Sequence, residues 1–299
     1  MDKKRNRKKS DPRLIFQGVW AFITNSYLTG FLQGKIYQGK LKSICLPGLN
    51  CYSCPGALGS CPVGALQSSF SSRGDKISLY VSGFLIFIGE VMGRYVCGWL
   101  CPFGLVQDLL NKIPFPKKLR TFKGDKLLRK VKYVILLVFV ILLPMVAADV
   151  TGLGDPWFCK YICPAGTLEG GVPLVLLNSA LRETVGFLYT RKLLILAVTV
   201  FLSVIIYRPF CKYICPLGAI YSFFNKISVF KISIDKEKCV GCNKCERVCK
   251  MNVNPSQAPD STECIRCREC ISACPTGALR DNFSCLTCLK KSEAKAKEE

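Results

Sequence analysis

Four apolar stretches, separated by polar and charged segments, dominate the first two thirds of the chain. They run from about 14 to 32, 77 to 96, 131 to 148 and 193 to 207. About 20 apolar residues in a helix cross the roughly 30 Å hydrocarbon core of a membrane. The pattern predicts about four transmembrane helices, although Gln17, Asn25 and Ser26 dilute the first and the last is short.

The distribution of Lys and Arg predicts how these helices are oriented. Segment 97–130 carries eight such residues in 34 positions, whereas 33–76 and 149–192 carry five and four in 44 positions each. Cytoplasmic loops are enriched in Lys and Arg. We therefore expect a multi-pass protein of the cell membrane with cytoplasmic termini, and with 33–76 and 149–192 outside. The basic segment 1–13 and the first apolar stretch together indicate an uncleaved anchor.

The chain has 299 residues, 20 cysteines and no histidine, and its net charge is +22. Without imidazole, a His-ligated haem, a catalytic zinc site of the His type and a Cys-His catalytic pair are all excluded. Any metal must be held mainly by thiolates, which favour iron–sulfur clusters, zinc or Cu(I). Membrane topology accounts for much of the positive charge, so we expect no nucleic-acid partner.

Two cysteine runs lie in the polar segment that begins at Lys231. "CVGCNKCERVC" and "CIRCRECISACPTGAL" both have the C-x2-C-x2-C-x3-C spacing. In two-cluster ferredoxins, three cysteines of each run bind one [4Fe-4S] cluster and the fourth binds the other. We assign one cluster to Cys239, Cys242, Cys245 and Cys274, and the other to Cys264, Cys267, Cys270 and Cys249. A pair of zinc sites is the alternative, although zinc ribbons separate their CxxC pairs.

Three further elements share the form Cys-x3-Cys-Pro. They are "CGWLCPFG" (Cys97, Cys101), "CKYICPAG" (Cys159, Cys163) and "CKYICPLG" (Cys211, Cys215). Cysteines four residues apart lie on one helix face, and the proline disfavours continuation of the helix. Each element therefore presents two thiolates, and two elements are needed to complete a cluster site.

The predicted topology constrains how these pairs combine. Cys97, Cys101, Cys211 and Cys215 fall at the cytoplasmic face, and we expect them to hold one cluster. Cys159 and Cys163 fall outside with the cysteine-rich loop 45–61, where Cys51 and Cys54 are the predicted partners. Three alternatives stay open at this point: buried apolar cysteines, disulfides in an oxidising compartment, and a site closed by Cys45, Cys51, Cys54 and Cys61 alone. Cys285 and Cys288 form a lone CxxC, either free thiols or an extra metal or redox pair.

These motifs resemble those of the membrane polyferredoxin family with CxxxCP elements, which includes NapH, the C-terminal half of NosR and CcoG-like [4Fe-4S] proteins. The resemblance covers about residues 75–280. It implies four spans and electron exchange between quinol or a cytoplasmic donor and an extracytoplasmic acceptor. The cysteine-rich first loop and the absence of histidine depart from the family pattern, so a nitrate-linked role is not supported.

The sequence therefore predicts an α-helical membrane protein with a C-terminal α+β two-[4Fe-4S] ferredoxin-like domain. The predicted parts are a basic N-terminus (1–13), a transmembrane domain (14–230), the ferredoxin domain (231–280) and a charged tail (281–299). We expect two [4Fe-4S] clusters in the ferredoxin domain and up to two in the membrane domain.

The predicted function is single-electron relay from a ferredoxin- or flavodoxin-type donor, or from quinol, to an extracytoplasmic redox partner. A protein that only relays electrons between partners is an electron-transfer component rather than a stand-alone enzyme. The alternatives are a quinol dehydrogenase or copper-ion reductase, and a thiol-based redox sensor or assembly factor.

Overall fold

A computed structural model describes residues 11–71, 79–116, 118–147 and 155–282. Cys285, Cys288 and the charged tail beyond Asn282 therefore lie outside the described residues. In the first part of the chain, the helices are Pro12–Thr24, Leu28–Gln33, Pro62–Ser71, Leu79–Met92, Tyr95–Trp99 and Pro102–Lys112, with a 3₁₀ turn at Lys40–Ser43.

The middle of the chain is also helical. Its helices are Asp125–Ile135, Leu143–Val146, Trp157–Tyr161, Pro164–Gly166, Val172–Leu177, Ser179–Glu183, Phe187–Ile205, Pro209–Tyr213 and Pro216–Phe224. Two π-helical segments, Leu136–Leu142 and Thr167–Gly171, continue the helices that precede them.

The C-terminal part is a small α+β unit. Strands β1 (Ile232–Ile234) and β2 (Leu279–Asp281) pair antiparallel, with Ser233 opposite Arg280. Two short helices, Lys244–Val248 and Glu269–Ala273, lie between the strands in sequence. Ile232, Leu279, Cys245 and Cys270 form the small buried core of this unit, so the sheet brings the two ends of the cysteine-rich segment together.

The four predicted spans differ in whether each of them forms a single regular helix. Among the described residues, only the helix Phe187–Ile205 is by itself long and apolar enough to cross a membrane. At 1.5 Å per residue it is roughly 28 Å long. Large apolar side chains on it are solvent-facing, such as Leu194 and Phe201, which are 63% and 60% exposed.

The other three predicted spans are interrupted. The first consists of two helices, Pro12–Thr24 and Leu28–Gln33, because the chain turns at Asn25, which caps the first helix. The second ends at Met92, where Gly93 adopts a positive φ of 51°. The third is helical from Asp125 to Val146 but passes through the π segment. The four-span arrangement therefore stays a prediction.

Buried ion pairs hold the helices together at the end of Phe187–Ile205. Arg208 is fully buried and donates two hydrogen bonds of 2.6 Å to the carboxylate of Asp108. Arg13 lies 2.9 Å from the same carboxylate. Although burial alone would raise the pKa of Asp108, these two cations hold it below its usual value. The Asp108 carboxylate thus joins three segments that are far apart in sequence.

We predict that Asp108→Asn destabilises the protein by about 3–5 kcal/mol, because removing one partner of a buried pair leaves an uncompensated charge. Thermal unfolding of the detergent-solubilised protein measures the effect. Asp155→Asn is the matched control, since the Asp155–Lys160 pair is about 40% exposed and such pairs contribute at most about 1 kcal/mol. Equal losses in the two variants would contradict the prediction.

Candidate metal centres

The eight cysteines of the C-terminal runs surround two separate cavities. Cys239, Cys242, Cys245 and Cys274 line one cavity. Cys249, Cys264, Cys267 and Cys270 line the second. The fourth cysteine of each run thus turns towards the cavity of the other run, which is the grouping assigned from the spacing. We refer to these as cavity I and cavity II.

Cys97, Cys101, Cys211 and Cys215 come together in the core of the helical region, and we call them the inner site. All four are buried and pack in one cluster. Burial raises the pKa of Cys215, and the nearby thiolates of Cys211, Cys97 and Cys101 raise it further. Four thiols that repel one another in this way form a preorganised position for a positively charged metal group.

A second group of four cysteines lines an open cavity of about 670 Å³, and we call it the outer site. Its members are Cys51, Cys61, Cys159 and Cys163. Burial raises the pKa of Cys61 to about 12, and the neighbouring thiolate of Cys159 contributes to the rise. The grouping differs from the predicted set in one position, because Cys61 takes the place expected for Cys54.

Cys54 points away from the outer cavity, towards Asn25. Its sulfur lies 3.7 Å from Asn25 Oδ1 and does not line the cavity. Cys45 is also outside the group, and its sulfur lies 3.9 Å from Ser60 Oγ. The sequence did carry a signal for Cys61, since Cys61-Pro62-Val63-Gly64 repeats the Cys-Pro-x-Gly ending of the other elements.

The second cysteine of every Cys-Pro-x-Gly element in the helical region has the same backbone setting. Each precedes a helix whose first residue is the proline, at Pro62, Pro102, Pro164 and Pro216. Proline suits this first position because it has no N–H to leave unpaired. The glycine N–H at the third helical position then donates to the sulfur, over 3.4 Å at both Cys101 and Cys215. In the three Cys-x3-Cys-Pro elements the first cysteine lies on a separate short helix, so the two cysteines do not share the one helix that the sequence predicted.

The loop that carries Cys264 packs directly on the inner site. Gly98, next to Cys97, lies against the carbonyl of Ile265, so closely that an added Cβ would overlap it. Trp99 Nε1 donates to Arg266 O over 3.1 Å. Arg94 connects the same parts, since it donates to Cys211 O and to Glu263 over 3.3 and 3.0 Å. Cavity II and the inner site are therefore neighbours.

The inner and outer sites are also neighbours. Gly48 approaches Cys101 so closely that a Cβ on Gly48 would lie 2.9 Å from Cys101 Cα. The backbone N–H of Leu49 hydrogen-bonds to the Cys101 sulfur, and Cys51 of the outer site follows two residues later. Tyr221 packs against this segment and donates to Pro47 O over 2.9 Å. The segment Pro47–Cys51 thus connects the two sites directly.

Four cysteines at each site are the donor set that a [4Fe-4S] cluster uses. All 18 cysteines in the described part of the chain are free thiols, and no three Cys, Asp or Glu side chains there are close enough to hold one metal ion. In a [4Fe-4S] cubane each thiolate binds a different iron, whereas the ligands of one zinc all lie about 2.3 Å from it. Asn50, beside Cys51, is buried, and neither polar atom of its side chain has a hydrogen-bond partner among these residues. Buried polar atoms are normally hydrogen-bonded, so Asn50 has capacity to bond a group held at the outer site.

The charges around the two sites differ. At the inner site, the fully buried Arg208 donates to Cys97 O, and Arg94 donates to Cys211 O. At the outer site, Glu169 accepts a 2.7 Å hydrogen bond from the N–H of Cys51. Burial raises the pKa of Glu169 to about 8. The inner site thus has two buried arginines beside it, whereas the outer site has a carboxyl group together with the two lysines that line its cavity, Lys42 and Lys192.

Comparison with known proteins identifies iron–sulfur domains over the same regions. Models described as "4Fe-4S binding domain" match residues 77–123, 134–172 and 191–235, residues 258–280, and residues 231–254. An uncharacterized protein of Methanocaldococcus jannaschii is 34% identical, over 74% of this chain and 77% of its own length. No solved structure matches the chain.

Two named relatives are more distant. The ferredoxin-type protein NapH of Escherichia coli is 27% identical over 60% of this chain and 59% of its own length. The regulatory protein NosR of Pseudomonas aeruginosa is 28% identical over 66% of this chain and 27% of its own length. The chain therefore spans only part of each of these two relatives.

We predict that Gly98→Ala loosens the packing between cavity II and the inner site and costs about 1–3 kcal/mol, as overpacking does. Hydrogen exchange of the segment around Ile265 should become faster. Gly83→Ala is the matched control, because nothing lies within 4 Å of its added Cβ and alanine favours the helix. Unchanged exchange around Ile265 in Gly98→Ala would refute the close packing.

Proposed function

Because the chain belongs to the polyferredoxin-like family of [4Fe-4S] proteins, we propose that it relays single electrons through a row of four such clusters. The relay joins a cytoplasmic or quinol donor to an acceptor on the other side of the membrane. Each cluster supplies a one-electron centre whose potential depends on hydrogen bonds, charge and exposure. The chain's own residues hold the clusters and fix their order.

The proposed ligands follow from the four groups of cysteines. Clusters in cavities I and II use the eight cysteines of the ferredoxin domain. The inner cluster uses Cys97, Cys101, Cys211 and Cys215. For the outer cluster we propose Cys51, Cys61, Cys159 and Cys163, with Cys61 replacing Cys54 because Cys61 lines the outer cavity and Cys54 does not.

The observation that carries the proposal is the continuity of the four groups. Within the ferredoxin domain, Cys245 of cavity I and Cys249 of cavity II are joined by the end of the helix Lys244–Val248. Ile265, adjacent to Cys264, meets Gly98, adjacent to Cys97. From the inner site, the Leu49 hydrogen bond to Cys101 leads through two residues to Cys51. Electrons thus have a short route through bonds and close contacts from the first group to the last.

Both ends of this row are accessible, which suits entry and exit. At one end, Cys242 is exposed. Lys236, Lys244 and Arg247 are exposed around cavity I, interleaved with the exposed Glu237 and Glu246, so this surface offers cations to an acidic redox protein of the ferredoxin or flavodoxin type. At the other end, the open outer cavity gives an acceptor close access to the cluster.

A membrane location completes the proposal. The helix Phe187–Ile205 can cross a membrane, and Lys192, near its start, donates to Cys159 O over 3.2 Å. Cys211 follows its end by six residues. The proposed multi-pass topology has both termini in the cytoplasm, so that cavities I and II lie on the cytoplasmic side and the outer site towards the other face.

The cluster ligands can be tested by iron and sulfide counts on anaerobically purified protein. Four cubanes supply about sixteen irons per chain. We predict that Cys61→Ser removes the outer cluster, about four of these irons, whereas the matched Cys54→Ser removes none. EPR of the reduced proteins identifies which signal disappears.

The same counts can refute each part of the proposal separately. About eight irons in the unmodified protein would restrict the clusters to the ferredoxin domain and contradict the relay. Loss of iron in Cys54→Ser with retention in Cys61→Ser would instead restore Cys54 as the ligand and leave the relay standing.

A further inference from the structure

The four Cys-Pro-x-Gly elements of the helical region also share a polar residue at a fixed distance after the cysteine, which cluster ligation alone does not require. The sixth residue after each second cysteine is polar: Gln67, Gln107, Glu169 and Tyr221 follow Cys61, Cys101, Cys163 and Cys215. Each of the four side chains hydrogen-bonds either to a cysteine of another element in its own site or to the segment 47–51 that joins the two sites. The elements therefore carry a repeated polar contact as well as a repeated ligand.

In each site, one of these residues is a glutamine whose amide donates to a cysteine sulfur. Gln107 Nε2 lies 3.1 Å from Cys211 Sγ in the inner site. Gln67 Nε2 lies 3.2 Å from Cys159 Sγ in the outer site. Both acceptors are the first cysteine of a "FCKYICP" sequence, so the two sites repeat the same arrangement with different residues.

The other two of these four residues, Glu169 and Tyr221, contact the backbone instead of a sulfur. Glu169 accepts from Cys51 N, and Tyr221 donates to Pro47 O. Each site thus contains one glutamine–sulfur hydrogen bond and one polar contact with the segment Pro47–Cys51.

Both glutamine amides are buried, and a hydrogen bond to its oxygen orients the amide of Gln67, whereas Gln107 Oε1 has no hydrogen-bond partner among the described residues. Gln67 is fully buried, and its Oε1 accepts a 2.9 Å hydrogen bond from Phe158 N, which leaves Nε2 to face the sulfur. Gln107 is 1% exposed, and its Nε2 also lies 3.5 Å from Phe103 O. Reversing the Gln107 amide would place its oxygen against a thiolate, and two acceptors repel one another. The N–H therefore faces the sulfur in both sites.

We propose that Gln67 and Gln107 are positioning residues that raise the reduction potentials of the outer and inner clusters through these hydrogen bonds. The inference rests on the proposed function, since it requires clusters at both sites. A [4Fe-4S] cluster with four thiolates is more negatively charged after reduction than before. A hydrogen-bond donor to a ligand sulfur stabilises the reduced form more, and hydrogen bonds to the sulfurs are known to set such potentials.

The test is a redox titration of the holoprotein followed by EPR, with Gln107→Met and Gln67→Met as the variants. Methionine has a similar length and no N–H. A hydrogen bond to a charged group changes an equilibrium constant by about tenfold or more, and only the part of it that differs between the oxidised and reduced cluster shifts the potential, which we take as about tenfold. For a one-electron couple, tenfold corresponds to about 59 mV. We expect Gln107→Met to lower the inner potential by about this amount and Gln67→Met to lower only the outer one.

Asn111→Leu is the matched control. Asn111 lies one turn after Gln107 on the same helix and donates to Ser203 O over 3.1 Å rather than to a sulfur. This variant disturbs the packing of the helix without removing a sulfur contact, so its cluster potentials should match those of the unmodified protein. Unchanged potentials in both methionine variants, with the iron content retained, would overturn the inference and leave the electron relay intact.

A second measurement covers the case in which a methionine variant loses its cluster. The unmodified protein is labelled with ¹⁵N in the glutamine side-chain amide and reduced for pulsed EPR. We expect a ¹⁵N coupling in the signals of the inner and outer clusters. Its absence from both signals would refute the hydrogen bonds, whereas absence of the two signals themselves would refute the clusters and hence the proposed function.

Discussion

The Cys-Pro step at the start of four helices is the constraint on which the inner and outer sites depend. Proline disfavours continuation of the preceding helix and begins the next one, and the cysteine before it has an extended backbone at the helix N-terminus in Cys101, Cys163 and Cys215. There, the free backbone N–H groups favour a negative charge on the sulfur. The local sequence thereby sets the backbone conformation and the local electrostatics of the cysteine.

Burial makes this arrangement costly unless a positive group balances it. Several of these thiols have a pKa above its ordinary value because they lack water and lie near one another. The ion pairs of Asp108 and Glu263 bring further buried charge into the same region. Such groups are stable only when they are all paired. Much of the helical core is therefore polar, and its packing depends on charge balance as well as on apolar contact.

The spacing of the cysteines predicted more about the metal centres than about the fold. In the ferredoxin domain, the grouping of Cys274 with Cys239 follows from a local repeat, and the structure has the same grouping around cavity I. The hydropathy pattern did not predict that the first apolar stretch divides into two helices at Asn25, because one capping residue barely changes the mean hydropathy of the stretch.

The outer site was harder to derive, because Cys51 and Cys61 are separated by a loop with no periodicity. Only tertiary packing turns Cys54 towards Asn25 and Cys61 into the cavity. The Gln–sulfur contacts were missed for a similar reason. Each joins residues about 90 to 100 positions apart.

The segment Pro47–Cys51 belongs to both sites at once, and this has a consequence for how the chain can vary. In the proposed relay, the two residues from Leu49 to Cys51 separate the contact with the inner site from a ligand of the outer site. Loops elsewhere on the surface can change length freely, but one residue inserted here would lengthen the proposed step between the two clusters. For the proposed relay, the length of this short stretch therefore matters as much as its side chains.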